Sequence, residues 1–305
     1  MTKVFIDGSA GTTGLRIFER LSSRTDIQLM TLSGELRKDP EARREMLNKA
    51  DIAFLCLPDK AAVEAVSLID NDHTAVIDTS TAHRVNDAWA YGFPELSGPH
   101  RRAIRESRRI ANPGCHASGF ISAVCPLVAN GVIPADFPLT AYSLTGYSGG
   151  GKSLIAEYED ANRDPRHDSH RIYATSLAHK HLPEMQKLCG LKYQPVFSPI
   201  LGDFYSGMAT SVLLPGFDAQ KVWQCLADHY AQERIVTVAP FGGDEALVYA
   251  NTLSGKDTMR IQVSGHSEQA MVTAIFDNLG KGASGAAIQN MNILLGVDET
   301  TGLNV

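Results

Sequence analysis

The chain has 305 residues, of which 44% are apolar, so it can bury a sizeable core. Its length predicts a division into two domains. Its net charge of −6 argues against nucleic acid or an anionic membrane as the main partner. The sequence contains no apolar run of roughly 18 residues, and its first residues, "MTKVFIDG", predict a strand and not a signal peptide. Five cysteines without close spacing favour a reducing cytoplasm.

Apolar runs alternate with amphipathic segments over the first 114 residues. Strands are predicted at "KVFIDG", "IQLMTLS", "DIAFLCLP" and "HTAVIDTS", and helices at "TGLRIFERLSS", "PEARREMLNKA" and "KAAVEAVSLI". In the first helix we expect Leu15, Phe18 and Leu21 to share one apolar face. Strands that are apolar throughout and alternate with helices predict a parallel sheet covered on both faces, and therefore a doubly wound α/β domain.

A glycine-rich loop, "DGSAGTTG", follows the first predicted strand. Gly8, Gly11 and Gly14 are spaced G-x-x-G-x-x-G, which differs from the commonest dinucleotide fingerprint, G-x-G-x-x-G. The loop nevertheless lies where a strand leads into a helix, and the unpaired amides of a helix N-terminus attract a pyrophosphate. The sequence predicts a dinucleotide site, with a glycine-rich turn that binds nothing as the alternative.

The residues after the second strand bear on the choice of dinucleotide. An NAD site usually has an acidic residue there, whereas this chain has Ser33, followed by Arg37. A hydroxyl and a guanidinium suit a 2′-phosphate, so NADP(H) is favoured. Glu35 would become the acidic residue if the strand ended slightly later, which would favour NAD(H) instead.

The segment "ANPGCHASGFISAVCPLVAN" contains the strongest candidate nucleophile. "NPG" predicts a turn, and the residues after it predict a helix with Phe120, Val124, Leu127 and Val128 on its apolar face. Cys115 then lies at the helix N-terminus, where the helix dipole favours a thiolate. The remaining four cysteines are expected to pack as ordinary core residues: Cys56, Cys125, Cys189 and Cys225.

A thiolate nucleophile needs a base, and "LAHKHLPEM" supplies the best candidates. His179 or His181 would be the acid/base, and Glu184 would orient it at a helix that begins near Pro183. His116 is expected to face a different side of its helix from Cys115 and is a weaker candidate. We expect no metal site, because the spacing suggests no third ligand.

"GYSGGGKS", residues 146–153, matches the phosphate-binding loop of ATP- and GTP-hydrolysing proteins, with a strand-like run before it and a helix-like run after it. Such a hydrolase also needs an acidic residue at the end of a later apolar strand, and none is evident after Ser153. We therefore interpret the match as accidental, although Lys152 remains able to contact an anion.

Seven segments together resemble the shorter type of the N-acetyl-γ-glutamyl-phosphate reductase family: "DGSAGTTG", "DTSTAHR", "YGFPEL", "NPGCHAS", "YSGGGKS", "HKHLPEM" and "KGASGAAIQNMNILLG". The resemblance implies an NADP-binding Rossmann domain formed by residues 1–114 and 285–305. It also implies an α+β domain of glyceraldehyde-3-phosphate-dehydrogenase-like type, residues 115–284, which holds the substrate and forms a homodimer or homotetramer.

The resemblance further implies roles for single residues. Cys115 would attack the acyl phosphate of N-acetyl-γ-glutamyl phosphate, inorganic phosphate would leave, and NADPH would reduce the thioester. The "SGGG" loop would leave room for cofactor and substrate. Phosphate or carboxylate contacts are expected from Arg84, Asn112 and Ser148. Cofactor contacts are expected from Gly8, Ala10, Gly11, Thr12, Thr13, Gly14, Ser33, Arg37, Pro58, Ser80, Gly149, Gly150 and Asn290.

Other functions remain open on the sequence alone. An aspartate-semialdehyde dehydrogenase would use the same chemistry on a shorter substrate, and a related reductase would use it on a carrier-bound or longer one. A P-loop ATPase would depend on Lys152, and a non-enzymatic NADPH-sensing regulator would not depend on Cys115.

Overall fold

The computed structural model describes residues 1–243 and 247–305. The described chain divides into two compact units. The first comprises Met1–Pro113 and Ala283–Leu303, and the second comprises Gly114–Gly282 and Asn304–Val305.

The first unit is built on a six-stranded sheet in which every pair of neighbouring strands is parallel. Its elements are β1 (Thr2–Asp7), α1 (Thr12–Leu21), β2 (Ile27–Met30), α2 (Pro40–Lys49), β3 (Ile52–Leu55), α3 (Asp59–Ser67), β4 (Ala75–Asp78), β5 (Ala90–Tyr91), α4 (Gly98–Glu106) and β6 (Arg109–Ala111). The strand order is β2-β1-β3-β4-β6-β5, and the predicted parallel sheet is confirmed.

The second unit is built on a seven-stranded mixed sheet with the order β11-β12-β13-β10-β7-β9-β8. Its elements are α5 (Cys115–Ala129), β7 (Thr140–Gly146), α6 (Gly151–Glu159), β8 (Arg171–Ile172), α7 (Leu182–Leu188), β9 (Val196–Gly202), β10 (Met208–Pro215), α8 (Ala219–Tyr230), β11 (Val236–Val238), β12 (Met259–His266) and β13 (Gln269–Phe276). Because a parallel α/β unit accompanies a mixed-sheet α+β unit, the expected fold class is confirmed.

Two apolar clusters cover the two faces of the first sheet. Val4 of β1 packs in one cluster with Ile17 of α1, whereas Phe5 packs in the other with Leu47 of α2 and Ala62 of α3. This alternation follows from the strand geometry, in which successive side chains point to opposite faces. A last helix, α9 (Gly285–Leu295), belongs to the first unit and buries its side chains in the cluster of Val4.

The predicted apolar face of α1 was wrong in part. Leu15 and Phe18 are 41% and 37% exposed, whereas Ile17 and Leu21 are buried. The loop before the helix explains the difference. A Cβ atom on Gly14 would lie 2.4 Å from the carbonyl oxygen of Gly8, so the side of the helix that carries Gly14 lies against the residue that follows β1. Ile17 and Leu21 lie on that same side because of their helical spacing from Gly14.

Helix α5 packs directly on the second sheet. A Cβ atom on Gly119 would lie 2.5 Å from Oγ1 of Thr210 on β10, so glycine at this position allows the close approach. Phe120, Val124 and Leu127 are fully buried, as the predicted apolar face requires. None of the helices in the described ranges combines the length and apolar character that a membrane-spanning helix needs.

Candidate active site

Cys115 is the first residue of α5, as its position after "NPG" predicted. The residue before it, Gly114, is extended and has no side chain to cap the helix. The partial positive charge of the helix N-terminus therefore acts on the Cys115 sulfur and favours its thiolate form. A Cβ atom on Gly282 would lie 3.1 Å from Cβ of Cys115, so the chain passes close to Cys115 at a position where a glycine permits it.

Three imidazole rings form a cluster in the same unit. The ring centroids of His179 and His181 are 4.7 Å apart. The ring centroid of His116 lies 5.3 Å from that of His179 and 5.8 Å from that of His181. His181 is buried and immediately precedes α7, so the predicted helix start near Pro183 is observed. The structure thus gathers both predicted base candidates beside His116, the residue that follows Cys115.

His116 belongs to this cluster, which the sequence did not indicate. It lies deep in the unit, with Nδ1 2.9 Å from Oγ of Ser143 and Nε2 2.6 Å from the hydroxyl of Tyr173. Burial, with smaller contributions from the charges of His179 and Lys180, lowers the pKa of His116 from 6.5 to about 3. His116 is therefore neutral at physiological pH and is a poor acceptor for the thiol proton.

Glu184, on the first turn of α7, is also buried. Its Oε2 accepts a hydrogen bond of 3.2 Å from the backbone amide of Gly114, the residue before Cys115. This contact ties the start of α7 to the start of α5. The orientation of His181 by Glu184 stays a prediction.

The four other cysteines differ from Cys115 in their surroundings. Burial raises the pKa of Cys56 to about 12 and raises the pKa of Cys189 and Cys225, so these thiols stay protonated. A hydrogen bond from Cys189 lowers the pKa of Cys125, and these two thiols are neighbours in the structure. Their proximity could not be read from the sequence.

The loop that matches a nucleotide hydrolase is built differently from a phosphate cradle. A cradle requires free backbone amides. Here the amides of Gly146, Tyr147 and Ser148 donate to the carbonyl oxygens of Gly207, Phe204 and Tyr205, at 2.9–3.0 Å. Lys152 and Ser153 are exposed, and β7 lies in a mixed sheet. The interpretation of this match as accidental therefore has a physical basis.

The remaining residues of this loop have defined positions in the second unit. Oγ of the buried Ser148 accepts a hydrogen bond of 3.0 Å from Nδ2 of Asn278. A Cβ atom on Gly149 would lie 3.3 Å from that same Nδ2, and one on Gly150 would lie 2.2 Å from Cδ2 of Leu154. The loop thus has little room for larger side chains.

The glycine loop of the first unit lies at the carboxyl end of β1. Gly8 has a φ of 87°, which favours glycine, and a Cβ atom there would lie 2.3 Å from the carbonyl oxygen of Cys56. The strand order reverses direction between β1 and β3, because β2 lies on the outer side of β1 and β4 lies on the opposite side, next to β3. Dinucleotides bind at such a switch point in α/β sheets. Pro58, just before α3, follows β3 at the same switch point.

This loop fits a dinucleotide. Gly11, which precedes α1, is exposed, and a Cβ atom there would lie at an ordinary van der Waals distance of 3.5 Å from the carbonyl oxygen of Gly8, so packing against the described chain does not require a glycine here. The buried Oγ1 of Thr12, the first residue of α1, has no hydrogen-bond partner among the described residues. The buried Oδ1 of Asn290 on α9 has none in that set either. Ala10 and Thr13 complete the loop around Gly11.

The residues predicted to contact the 2′ position of the cofactor's ribose follow β2. Ser33 precedes a 3-10 helix, Gly34–Lys38, that contains both Arg37 and Glu35. Arg37 is exposed, and its Nε donates a hydrogen bond of 3.2 Å to the carbonyl oxygen of Gly34. Glu35 is also exposed, so the structure retains both alternatives of the sequence analysis.

Three further predicted residues are held in the interior of the first unit. Oγ of Ser80 donates to Asp78 at 2.7 Å. Nε and Nη2 of Arg84 donate to the carbonyl oxygens of Asn112 and Thr79, both at 2.9 Å. Oδ1 of Asn112 accepts from Nδ2 of Asn290 at 3.2 Å. The substrate roles of Arg84 and Asn112 stay predictions.

Both units of the chain are similar to domains of known proteins. Residues 3–106 match the NAD binding domain of the semialdehyde dehydrogenases, and residues 115–278 match the dimerisation domain of that family. Over 96% of its length the chain is 47% identical to N-acetyl-gamma-glutamyl-phosphate reductase of Chelativorans sp., 98% of which is covered. Over 99% of its length it is 42% identical to N-acetyl-gamma-glutamyl-phosphate reductase 2 of Nostoc sp., 99% of which is covered.

Solved structures with the same fold are more distant in sequence. Aspartate semialdehyde dehydrogenase II of Vibrio cholerae, complexed with ASA, superposes with a TM-score of 0.73 at 17% identity, covering 97% of this chain and 98% of that one. Aspartate semialdehyde dehydrogenase of Candida albicans, with NADP, gives 0.67 at 15% identity, covering 97% and 99%. These likenesses establish the fold.

Proposed function

Because the chain belongs to the N-acetyl-γ-glutamyl-phosphate reductase family, we propose that it reduces N-acetyl-γ-glutamyl phosphate to N-acetylglutamate semialdehyde in arginine biosynthesis. The observation that carries the proposal is the placement of Cys115 at the uncapped N-terminus of α5, with the imidazoles of His179 and His181 clustered around His116, the next residue. A thiolate in that position is a nucleophile for an acyl group.

The reaction uses the sulfur twice. The thiolate of Cys115 attacks the carbonyl carbon of the acyl phosphate, the C–S bond forms, and the C–O bond to inorganic phosphate breaks. NADPH, when bound, would supply the hydride that reduces the resulting thioester. The hemithioacetal then returns its hydroxyl proton to His181 as the C–S bond breaks, which releases the aldehyde and restores the thiolate of Cys115. Amides in the first turn of α5 stabilise negative charge on the acyl oxygen.

The proton transfers are assigned to the histidine pair. His181 accepts the thiol proton of Cys115 and later donates a proton to the acyl oxygen. His179 is less buried than His181 and binds the substrate. Ser148, Arg84 and Asn112 are the proposed contacts for the phosphate or carboxylate groups of the substrate.

NADP(H) is the proposed cofactor of the first unit, and Arg37 with Ser33 is proposed to bind its 2′-phosphate. A guanidinium offers charge-assisted hydrogen bonds that a phosphate accepts well. The exposed position of Gly11 and the unpartnered oxygens of Thr12 and Asn290 support cofactor binding here. If Glu35 acted in place of Arg37, NAD(H) would be used instead.

The second unit is proposed to carry both catalysis and assembly into a homodimer or homotetramer. Helix α5 meets Thr210, so the alternate residues of β10 point to the opposite face of the sheet. On that face Leu213 is 38% exposed, and the hydroxyl of Tyr142 contacts Sδ of Met271. An incompletely covered apolar face of this kind suits a second copy of the chain. We place the enzyme in the cytoplasm, with small molecules as its ligands and neither nucleic acid nor membrane as a partner.

One assay tests the proposal against its alternatives. The purified protein is mixed with NADP⁺, inorganic phosphate and N-acetylglutamate semialdehyde, and NADPH formation is compared with that from aspartate semialdehyde. We expect phosphate-dependent reduction of NADP⁺ with the acetylated substrate and its loss in Cys115→Ser. Preference for aspartate semialdehyde would identify the shorter-substrate enzyme, and an absence of turnover with both substrates would leave a cofactor-binding regulator.

A further inference from the structure

Glu184 occupies the third position of α7, where a glutamate often caps its own helix. His181 immediately precedes α7, and Glu184 lies in the first turn. In the arrangement called a capping box, a glutamate at the third position reaches back to the backbone amide of the residue that precedes the helix. In α7 that amide belongs to His181, and it donates to Nδ1 of His179 at 3.2 Å.

The carboxylate of Glu184 caps the neighbouring helix, α5. Its Oε2 accepts a hydrogen bond of 3.2 Å from the backbone amide of Gly114, the residue that precedes α5. Helix α5 brings no carboxylate of its own to this amide, because its third position holds Ala117. Glu184 therefore makes for α5 the contact that a glutamate at position 117 would make within the helix.

The packing of α5 and α7 holds this contact in place. The two helices lie against each other, and at the last residue of α7 the carbonyl oxygen of Leu188 accepts a hydrogen bond of 3.5 Å from Sγ of Cys125 on α5. Glu184 is only 2% exposed, and Gly114 is also buried. Because both ends of α7 are attached to α5, the carboxylate has little freedom to leave the start of α5.

A buried carboxylate at this point acts on the charge of Cys115, the first residue of α5. The start of a helix carries a partial positive charge that stabilises a nearby anion. The carboxylate of Glu184 and the thiolate of Cys115 both depend on that charge, and two anions close together in a protein interior repel each other. Glu184 thus stabilises the helix while it makes the ionisation of Cys115 less favourable.

Other charged and titratable side chains lie around the same junction, and a change at Glu184 leaves all of them in place. They come from α5, from α7 and the residues before it, and from the segments that follow β8 and β13: His116, Tyr173, His179, Lys180, His181, Lys187, Asp277 and Lys281. Since none of these charges is removed with Glu184, the sign of the effect on Cys115 is determined by the carboxylate.

We propose that Glu184 is a positioning residue for the nucleophile, which caps α5 from α7 and by its charge keeps a larger share of Cys115 in the thiol form. The contact joins the helix that begins at Cys115 to the helix that begins after His181, so the nucleophile and the proposed base are held by one link. The part that concerns the base rests on the proposed function, whereas the effect on the thiol is a property of the free protein.

The test compares Glu184→Gln with Glu268→Gln, a control at an exposed glutamate of the same unit. Glutamine keeps an oxygen that can accept from the amide of Gly114 but removes the charge. The rate at which iodoacetamide alkylates Cys115 is measured against pH by peptide mapping. In Glu184→Gln the midpoint of this profile should move downward by about half to one pH unit, because a negative charge near the thiolate is lost.

Thermal unfolding gives a second readout of opposite sign. The unfolding temperature of Glu184→Gln should be lower than that of the wild type, because an anion at a helix N-terminus is lost. In Glu268→Gln both the unfolding temperature and the alkylation profile should coincide with those of the wild type. A residue with a purely structural role would lower the unfolding temperature without making Cys115 more acidic.

A second variant keeps the test open if Glu184→Gln does not fold. Glu184→Asp retains the charge but shortens the side chain by one methylene group, so its alkylation midpoint should lie below that of the wild type by a smaller interval. In the phosphate-dependent assay the acidic limb of the kcat/KM profile should follow the same order.

Two results would overturn the proposal. An unchanged alkylation midpoint in the folded variant would show that the carboxylate does not act on Cys115. A higher midpoint would show that Glu184 favours the thiolate, as expected if it supports a charged imidazole of His181. Alkylation requires no substrate, so a failure of the proposed function would leave this readout intact.

Discussion

The backbone amide of His181 donates a hydrogen bond to Nδ1 of His179, 3.2 Å away. An Nδ1 that accepts has no hydrogen, so neutral His179 carries its hydrogen on Nε2. In that tautomer the ring offers a donor to its surroundings and no free lone pair. His179 is thus suited to binding an oxygen of the substrate, and His181 remains the candidate base.

This tautomer separates the two histidines kinetically. His181→Asn should lower kcat by roughly 10²–10⁴-fold, the usual effect of losing a general acid/base, with a smaller effect on KM. His179→Asn should mainly raise KM. Steady-state kinetics of the two variants checks both statements, and the reverse pattern would transfer the catalytic role to His179.

Cofactor selectivity can be tested at two adjacent exposed cations, Arg37 and Lys38. Arg37→Ala should weaken NADPH binding by about 1–3 kcal/mol, because a charge-assisted contact to the 2′-phosphate is lost, and should leave NADH binding almost unchanged. Fluorescence titration with both cofactors measures this, and Lys38→Ala serves as the matched control. Equal weakening of both cofactors by Arg37→Ala would mean that Arg37 does not recognise the 2′-phosphate.

Two glycines of the nucleotide loop should respond differently to the same added methyl group. At Gly11 the methyl group meets no described atom closer than 3.5 Å, so Gly11→Ala should leave the unfolding temperature unchanged while raising the KM for cofactor. At Gly14 the methyl group would lie 2.4 Å from the Gly8 carbonyl oxygen, so Gly14→Ala should lower the unfolding temperature. Cofactor binding by Gly11→Ala as tight as in the wild type would place the pyrophosphate elsewhere.

The low pKa of His116 also predicts how stability depends on pH. The unfolded chain protonates this histidine near its ordinary pKa of 6.5, whereas the folded chain does so only near 3. Between these values the unfolded state binds more protons, so acidification favours unfolding by about 1.4 kcal/mol per pH unit. From pH 7 to pH 5 the wild type should lose about 2 kcal/mol that His116→Gln does not lose. Chemical denaturation at the two pH values measures the difference, and equal losses would show that His116 titrates normally.

The sequence predicted what depends on local pattern. The parallel sheet followed from apolar strands that alternate with helices, and the place of Cys115 followed from a turn before an apolar helix. The buried face of α1 was missed because the contact of Gly14 with Gly8, and not the distribution of leucine and phenylalanine, determines which side of the helix meets the sheet.

Contacts between distant segments lay outside the reach of the sequence. Tyr173 is separated from His116 by 57 positions and belongs to none of the seven segments that carry the family resemblance, yet the two side chains are hydrogen bonded. Similarly, the amides of Gly146 and Ser148 are occupied by a segment near Gly207, which no local pattern shows. Such partners are determined by the pairing of strands, which depends on the whole sheet.

The most direct test of the account is a burst experiment without phosphate. Enzyme is mixed rapidly with N-acetylglutamate semialdehyde and NADP⁺ in phosphate-free buffer, and NADPH absorbance is followed. If Cys115 forms a thioester that phosphate must cleave, the wild type should produce about one NADPH per active site, stop, and resume when phosphate is added. Continuous NADPH formation without phosphate, or a full burst from Cys115→Ser, would contradict the proposed mechanism.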